Sequence, residues 1–227
     1  PQTRQLPELP TRAAARGFTL TGAARMAHKS VIFDLRMVLI QWDPALAFAD
    51  VFDTREAAEA WLERIAFHDW NRVQDGGRSF ADGLAAARAD HGSLADPLEG
   101  YLAAFPVTIE KPVPGAWEVI DLLLARQVPL FAITNWAAET WPMALDAYPR
   151  LGRVFRDVVV SGQAGLLKPE PAIYRLLLDR NGLDAGDCIF VDDSPANVEG
   201  ARALGIDAIR FTGAGELLRA LAARGVL

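Results

Sequence analysis

Five short runs of β-branched and aromatic residues recur along the chain, and helical patterns stand between most of them. The runs are SVIFD (30–34), VPLFAIT (128–134), DVVVS (157–161), DCIFVD (187–192) and IDAIRF (206–211). Each is nearly continuous in apolar residues, as a strand buried on both faces of a sheet is. Helical patterns fall at GAWEVIDLLLARQ (115–127), PAIYRLLLDRNGL (171–183) and PANVEGARALGI (195–206), and GELLRALAARGV closes the chain. The alternation predicts parallel βαβ units with right-handed crossovers, hence an α/β fold with a doubly wound parallel sheet.

Between the first and second runs lie roughly 70 residues, too many for a simple crossover. They contain the amphipathic stretches AAEAWLERIAFHDW (57–70), FADGLAAARADHG (80–92) and PLEGYLAAF (97–105) and little strand signal. The expectation is a helical cap, residues 43–111, inserted after the first strand and returning through KPVPGA. Residues 29–42 and 112–227 then form the core domain, and 1–28 an N-terminal extension. The first 25 residues are Arg-rich with one acidic residue. They read as a translated leader or expression remnant in preference to a transit peptide, because Met26 begins MAHKSVIFD.

Composition narrows the partners. A net charge of −6 argues against nucleic acid, which demands clustered Lys and Arg. No apolar run approaches the roughly 18 residues of a membrane helix. The single cysteine, Cys188, lies inside the apolar run CIFV. That excludes an intramolecular disulfide and predicts a buried thiol in a reducing, cytoplasmic setting. Oligomeric state leaves no signal.

Four polar sites fall at or just after the ends of successive strands: Asp34, then Thr134-Asn135, then Lys168 in LLKPEP, then Asp192-Asp193 in FVDDSPAN. In a parallel sheet these ends converge on one crevice. Each alone also suits an ordinary task. Asp34 can cap a turn, Thr134-Asn135 can be turn chemistry, Lys168 a solvated charge, and Asp193 a helix N-terminal acid beside Ser194-Pro195. All four in this order favour function. Three carboxylates, a hydroxyl and an ammonium suit phosphoryl transfer to or from a small phosphorylated molecule. Mg²⁺ with oxygen ligands and a lysine neutralise the repulsion between carboxylate and phosphate.

The pattern FDLxxVLI…ITN…KPEPAIY…FVDDSPANVEGARALG resembles the haloacid dehalogenase (HAD) superfamily of aspartate-nucleophile hydrolases. The likeness is greatest to the branch with a small helical cap that includes bacterial sugar-phosphate phosphatases. It runs from Lys29 to the C-terminus, WN…QDGGRSF and TNWAAETW included. The resemblance implies a Rossmann-like core and a Mg²⁺-dependent phosphatase. By position it makes Asp34 the nucleophile that forms an aspartyl-phosphate. It has Thr134 and the backbone at Asn135 bind the phosphoryl group, and Lys168 link nucleophile and phosphate. Asp34, Asp192, Asp193 and the carbonyl of Arg36 would hold Mg²⁺. Asn197 either supports the acidic loop or lies on a helix surface.

Arg36 departs from the family pattern. Many members carry Asp two residues after the nucleophile, to protonate the leaving group and activate water. A guanidinium keeps its protons and cannot do this. Arg36 therefore either contacts a substrate anion or points to solvent, and Arg36→Asp is expected to raise turnover on poor leaving groups. Asp43 and Asp75 are the alternative proton carriers. Two rival functions remain open: 2-haloacid dehalogenation, which needs no metal, and a weakened member that only binds a ligand or partner. Trp42 and Trp136 are candidate walls of the substrate pocket, while Trp61 and Trp70 read as core. Gln74, Asp75 and Arg78 of QDGGR are candidates for substrate recognition. His28, His68 and His91 show no ligand spacing.

Overall fold

A computed structural model describes residues 29–227. The extension 1–28, with His28 and the leader reading, lies outside the described residues. All five expected strands form: β1 (Ser30–Phe33), β2 (Leu130–Thr134), β3 (Val158–Val160), β4 (Cys188–Asp192) and β5 (Asp207–Arg210). They make one parallel sheet in the order β3-β2-β1-β4-β5. The chain leaves β1 toward β2 and β3, then crosses to β4 on the other side of β1. That reversal opens a crevice beyond the C-terminal ends of β1 and β4.

Register decides what meets in the crevice. Phe33 pairs with Val191 and with Ala132. One residue further, Asp34 therefore stands abreast of Asp192, and Thr134 lies one step beyond on β2. The Asp34 N–H donates to Val191 O at 2.8 Å, which fixes the alignment past the last paired residues. Side chains alternate between the two faces. Val31 and Phe33 enter one hydrophobic core, and Ile32 joins Phe131, Ile133 and Phe190 in another.

Eleven α-helices accompany the described sheet. Four lie between β1 and β2 in the insert: α1 (Arg55–Arg64), α2 (Phe67–Asp75), α3 (Phe80–His91) and α4 (Tyr101–Thr108). The others are α5 (Ala116–Ala125), α6 (Trp141–Ala147), α7 (Leu151–Val154), α8 (Ser161–Ala164), α9 (Pro171–Asn181), α10 (Pro195–Arg202) and α11 (Ala214–Ala222).

Two helices of the insert differ from expectation. The stretch 57–70 is not continuous, because Ala66 takes a left-handed φ of 49° and the chain restarts as α2. The bend lets Trp61 of α1 and Phe67 and Trp70 of α2 enter one aromatic cluster around Phe48 and Tyr101. A straight helix would spread these rings around its axis. The stretch 97–105 becomes α-helical only from Tyr101, since Gly92–Gly100 is a 3₁₀ segment containing Pro97, which has no N–H to donate. The outgoing and returning chains of the insert run side by side: Gln41 N–H donates to Lys111 O at 2.9 Å and Val113 N–H to Leu39 O at 2.9 Å. Cys188 is buried in β4, which pushes its thiol up to about 11. No described helix is long and apolar enough to cross a membrane.

Candidate active site

Lys168 organises the crevice. Its side chain has no exposure, and Nζ lies 2.9 Å from Asp34 Oδ1 and 2.7 Å from Asp192 Oδ2. A buried ammonium needs compensating charge, and two carboxylates supply it. Burial opposes the charge, yet Asp192 and Asp34 together hold the Lys168 pKa above the ordinary lysine value. The loop is fixed by Asn135, whose amide accepts from Lys168 N–H at 2.9 Å and donates to Lys168 O at 3.0 Å. That reciprocal pair ties the exit of β2 to the segment before α9.

Asp192 is equally constrained. Its Oδ1 accepts from Ser194 N–H at 2.8 Å, and the Asn197 amide donates to Oδ1 at 3.0 Å and Oδ2 at 3.1 Å. Of the two readings of Asn197, support of the acidic loop is the observed one. Ser194 and Pro195 do stand at the N-cap and first turn of α10, but the Ser194 side chain makes no cap bond. Asp192 satisfies the Ser194 N–H itself.

Asp34, Asp192 and Asp193 each offer a ligand atom, and these lie within 4.8 Å of one another. Burial, opposed by Lys168 and reinforced by Asp192, pushes the Asp34 carboxyl up to about 7. Asp193 is likewise raised, by burial and by Asp192. Three carboxylates this close disfavour full ionisation unless a cation joins them. Hard oxygen donors fit Mg²⁺. The turn after β1 uses Met37 N–H to Ile40 O and Leu39 and Ile40 N–H to Leu35 O, and none of these bonds engages the Arg36 carbonyl. Thr134 Oγ1 is fully buried and has no hydrogen-bond partner among the described residues.

Arg36 does not point to solvent; it reaches across to the insert. Its Nη2 donates to Asp75 Oδ2 on α2 at 2.8 Å, and its guanidinium lies 4.3 Å from the Trp42 ring centre. Asp75 also accepts from Asn71 Nδ2 at 3.2 Å. A cavity of about 250 Å³ opens there, between Arg36 and Asn135 on the sheet side and Asn71, Arg72 and Asp75 on the insert. A second, of about 530 Å³, lies across Trp42 and is lined by Met37, Asp43, Arg55 and Glu63. Trp42 and His68 border both. Asp43, one alternative proton carrier, is paired with Arg55 at 2.7 Å.

Two candidate contacts lie elsewhere. Trp136 is almost fully buried between Phe105 and Trp141, so its ring supports the β2 exit loop from beneath and does not wall the cavity. Arg78 turns back to Gln74 Oε1 at 2.6 Å and is absent from the cavity lining, because buried Gln74 needs a donor for its carbonyl. Sequence reasoning missed Asn71, Arg72 and His68, which sit on the turns of α2 that face the sheet. The aromatic spacing of Phe67 and Trp70 marks the buried face of that helix, and Asn71 adjoins it.

Carboxylates at the switch point of a parallel sheet, gripped by one buried lysine, define a doubly wound α/β core with an acidic crevice. The family follows from comparison. The haloacid dehalogenase-like hydrolase model matches residues 28–205, and the chain belongs to that family. A phosphoglycolate phosphatase of Rhodospirillum rubrum is 32% identical over 191 residues, 80% of this chain and 78% of the relative. Among solved structures, a HAD family enzyme of Bacteroides thetaiotaomicron in complex with magnesium and inorganic phosphate aligns with a TM-score of 0.62 at 22% identity. It covers 82% of this chain and 94% of that one. A structure described as a dehalogenase aligns with a TM-score of 0.58 at 22% identity, over 81% and 84% of the two chains, and likewise shares the fold.

Proposed function

We propose that this hydrolase is a Mg²⁺-dependent phosphatase of a small phosphorylated metabolite, with Asp34 as nucleophile. The observation that carries the reading is the Lys168 ammonium held between Asp34 and Asp192 at 2.9 and 2.7 Å. Lys168 orients the Asp34 carboxylate and offsets the charge of an incoming phosphoryl group. Asp34 Oδ attacks phosphorus in line as the ester oxygen leaves, and water then hydrolyses the aspartyl-phosphate. Thr134 Oγ1, buried and unpartnered, is suited to donate to a phosphoryl oxygen. Asp34, Asp192, Asp193 and the Arg36 carbonyl would hold Mg²⁺, which supplies positive charge to the phosphoryl oxygens. The insert excludes bulk water, and the two cavities beside Trp42 give a leaving group room.

The curated relative named a phosphoglycolate phosphatase supports phosphoester chemistry. The acidic trio weighs against dehalogenation, which needs no metal. A panel of phosphate esters including phosphoglycolate and sugar phosphates, run with and without Mg²⁺ beside a halide-release assay, tests the reading. Phosphate release that disappears on chelation is expected. Halide release that survives chelation would make the protein a dehalogenase, and silence in both assays would favour a ligand-binding member.

A further inference from the structure

The Arg36–Asp75 pair joins the two halves of the site. Arg36 leaves the sheet two residues after Asp34, and Asp75 ends α2 of the insert. Their side chains are 20% and 5% exposed and meet at 2.8 Å. Asp75 is held at its other end too. Its backbone carbonyl accepts from the Ser161 hydroxyl at 2.5 Å, and Ser161 Oγ in turn accepts from Trp136 N–H at 2.9 Å. One insert residue thus touches the exit of β1 through its carboxylate and the exit of β3 through its carbonyl. The following residues press on the same edge, where a Cβ on Gly77 would lie 3.2 Å from Gly162 O.

We propose that Arg36 and Asp75 are positioning residues that latch the helical insert over the crevice and fix the turn carrying Asp34. A buried ion pair is a poor source of net stability, yet removing one partner strands the other. Such a pair suits alignment better than cohesion. The Trp42 ring beneath the guanidinium and the Asn71 amide beside the carboxylate restrict both groups to one geometry. With its guanidinium committed to Asp75, Arg36 holds the turn that presents the Asp34 carboxylate and its own carbonyl. The kinetic consequence rests on the phosphatase reading, whereas the latch itself does not.

The test is a double-mutant cycle in the full chain with Arg36→Met, Asp75→Asn and both. Two quantities are read: kcat and KM on p-nitrophenyl phosphate, and hydrogen exchange of the amides at 36–42 and 76–80. Each single variant is expected to lower kcat/KM roughly tenfold or more and to speed exchange in both segments, with the double no worse than the worse single. If Asp75→Asn does not fold, Asp75→Glu keeps the charge, displaces it and carries the same comparison. Exchange unchanged in both segments, or losses that multiply in the double variant, would overturn the latch. An unmodified protein that releases no phosphate would defeat the phosphatase reading alone, since exchange still reports on the pair.

Discussion

Met37 holds a left-handed backbone, φ 64°, at a position 44% exposed, directly after the arginine that reaches for the insert. An L side chain there costs about 1–2 kcal/mol, and glycine avoids that cost while losing part of it to unfolded-state entropy. Met37→Gly is therefore expected to stabilise the protein by about 0.5–1 kcal/mol, read as a higher urea midpoint at unchanged slope. An unchanged or lower midpoint would mean that the Trp42 N–H contact with Met37 Sδ, at 3.4 Å, outweighs the strain. Arg36 is the neighbouring case. Sequence reasoning expects Arg36→Asp to restore an acid and raise turnover on poor leaving groups. The structure reverses the sign, because a carboxylate at position 36 would face buried Asp75. Turnover of a simple alkyl phosphate, a poor leaving group, by Arg36→Asp is expected to fall about tenfold or more. Asp75 already carries a pKa raised by burial, which Arg36 opposes, and a second acid would remove that relief.

At the scale of elements, the β2 exit loop and α8 approach so closely that only glycine fits between them. A Cβ on Gly162 would lie 2.4 Å from Ala138 N and 2.8 Å from Trp136 O, both backbone atoms that cannot swing aside. Gly162→Ala is expected to destabilise by about 1–3 kcal/mol and to raise KM by shifting the loop behind Thr134. Calorimetry with steady-state kinetics checks both, and an unaltered KM would show that the loop yields without moving Thr134. Such a contact leaves no mark in the sequence. The strands were legible because each is an apolar run ending in a polar residue. The gathering of Asp34, Lys168, Asp192 and Asp193 was legible because parallel strands share one exit edge. The partner of Arg36 was not, since residues 36 and 75 meet only through the tertiary seating of α2, and the bend at Ala66 that aims α2 has no local signal.

For the whole molecule, the acidic crevice links stability to pH. The folded Asp34 carboxyl, raised to about 7, keeps its proton where the unfolded group, near 3.8, has lost it. The folded state thus binds more protons between those values, and stability falls as pH rises through that window. Asp193 and Asp75 are shifted in the same direction. In chelator, the melting temperature is expected to drop by roughly 4–8 °C from pH 5 to pH 8, with a smaller drop in Asp34→Asn. Mg²⁺, which prefers ionised carboxylates, should raise it most at pH 8. A metal-free melting temperature that climbs over this range would contradict the assignment. The central claim is that Asp34 attacks phosphorus, and acid-quenched enzyme from turnover of an activated phosphate ester with Mg²⁺ tests it most directly. Mass spectrometry of the digested protein is expected to find the phosphoryl group on the peptide containing Asp34, and no label on Asp34→Asn, whose kcat should fall by about 10³ or more. Sustained turnover with no phosphorylated Asp34 peptide, or an Asp34→Asn variant that keeps its rate, would contradict the account.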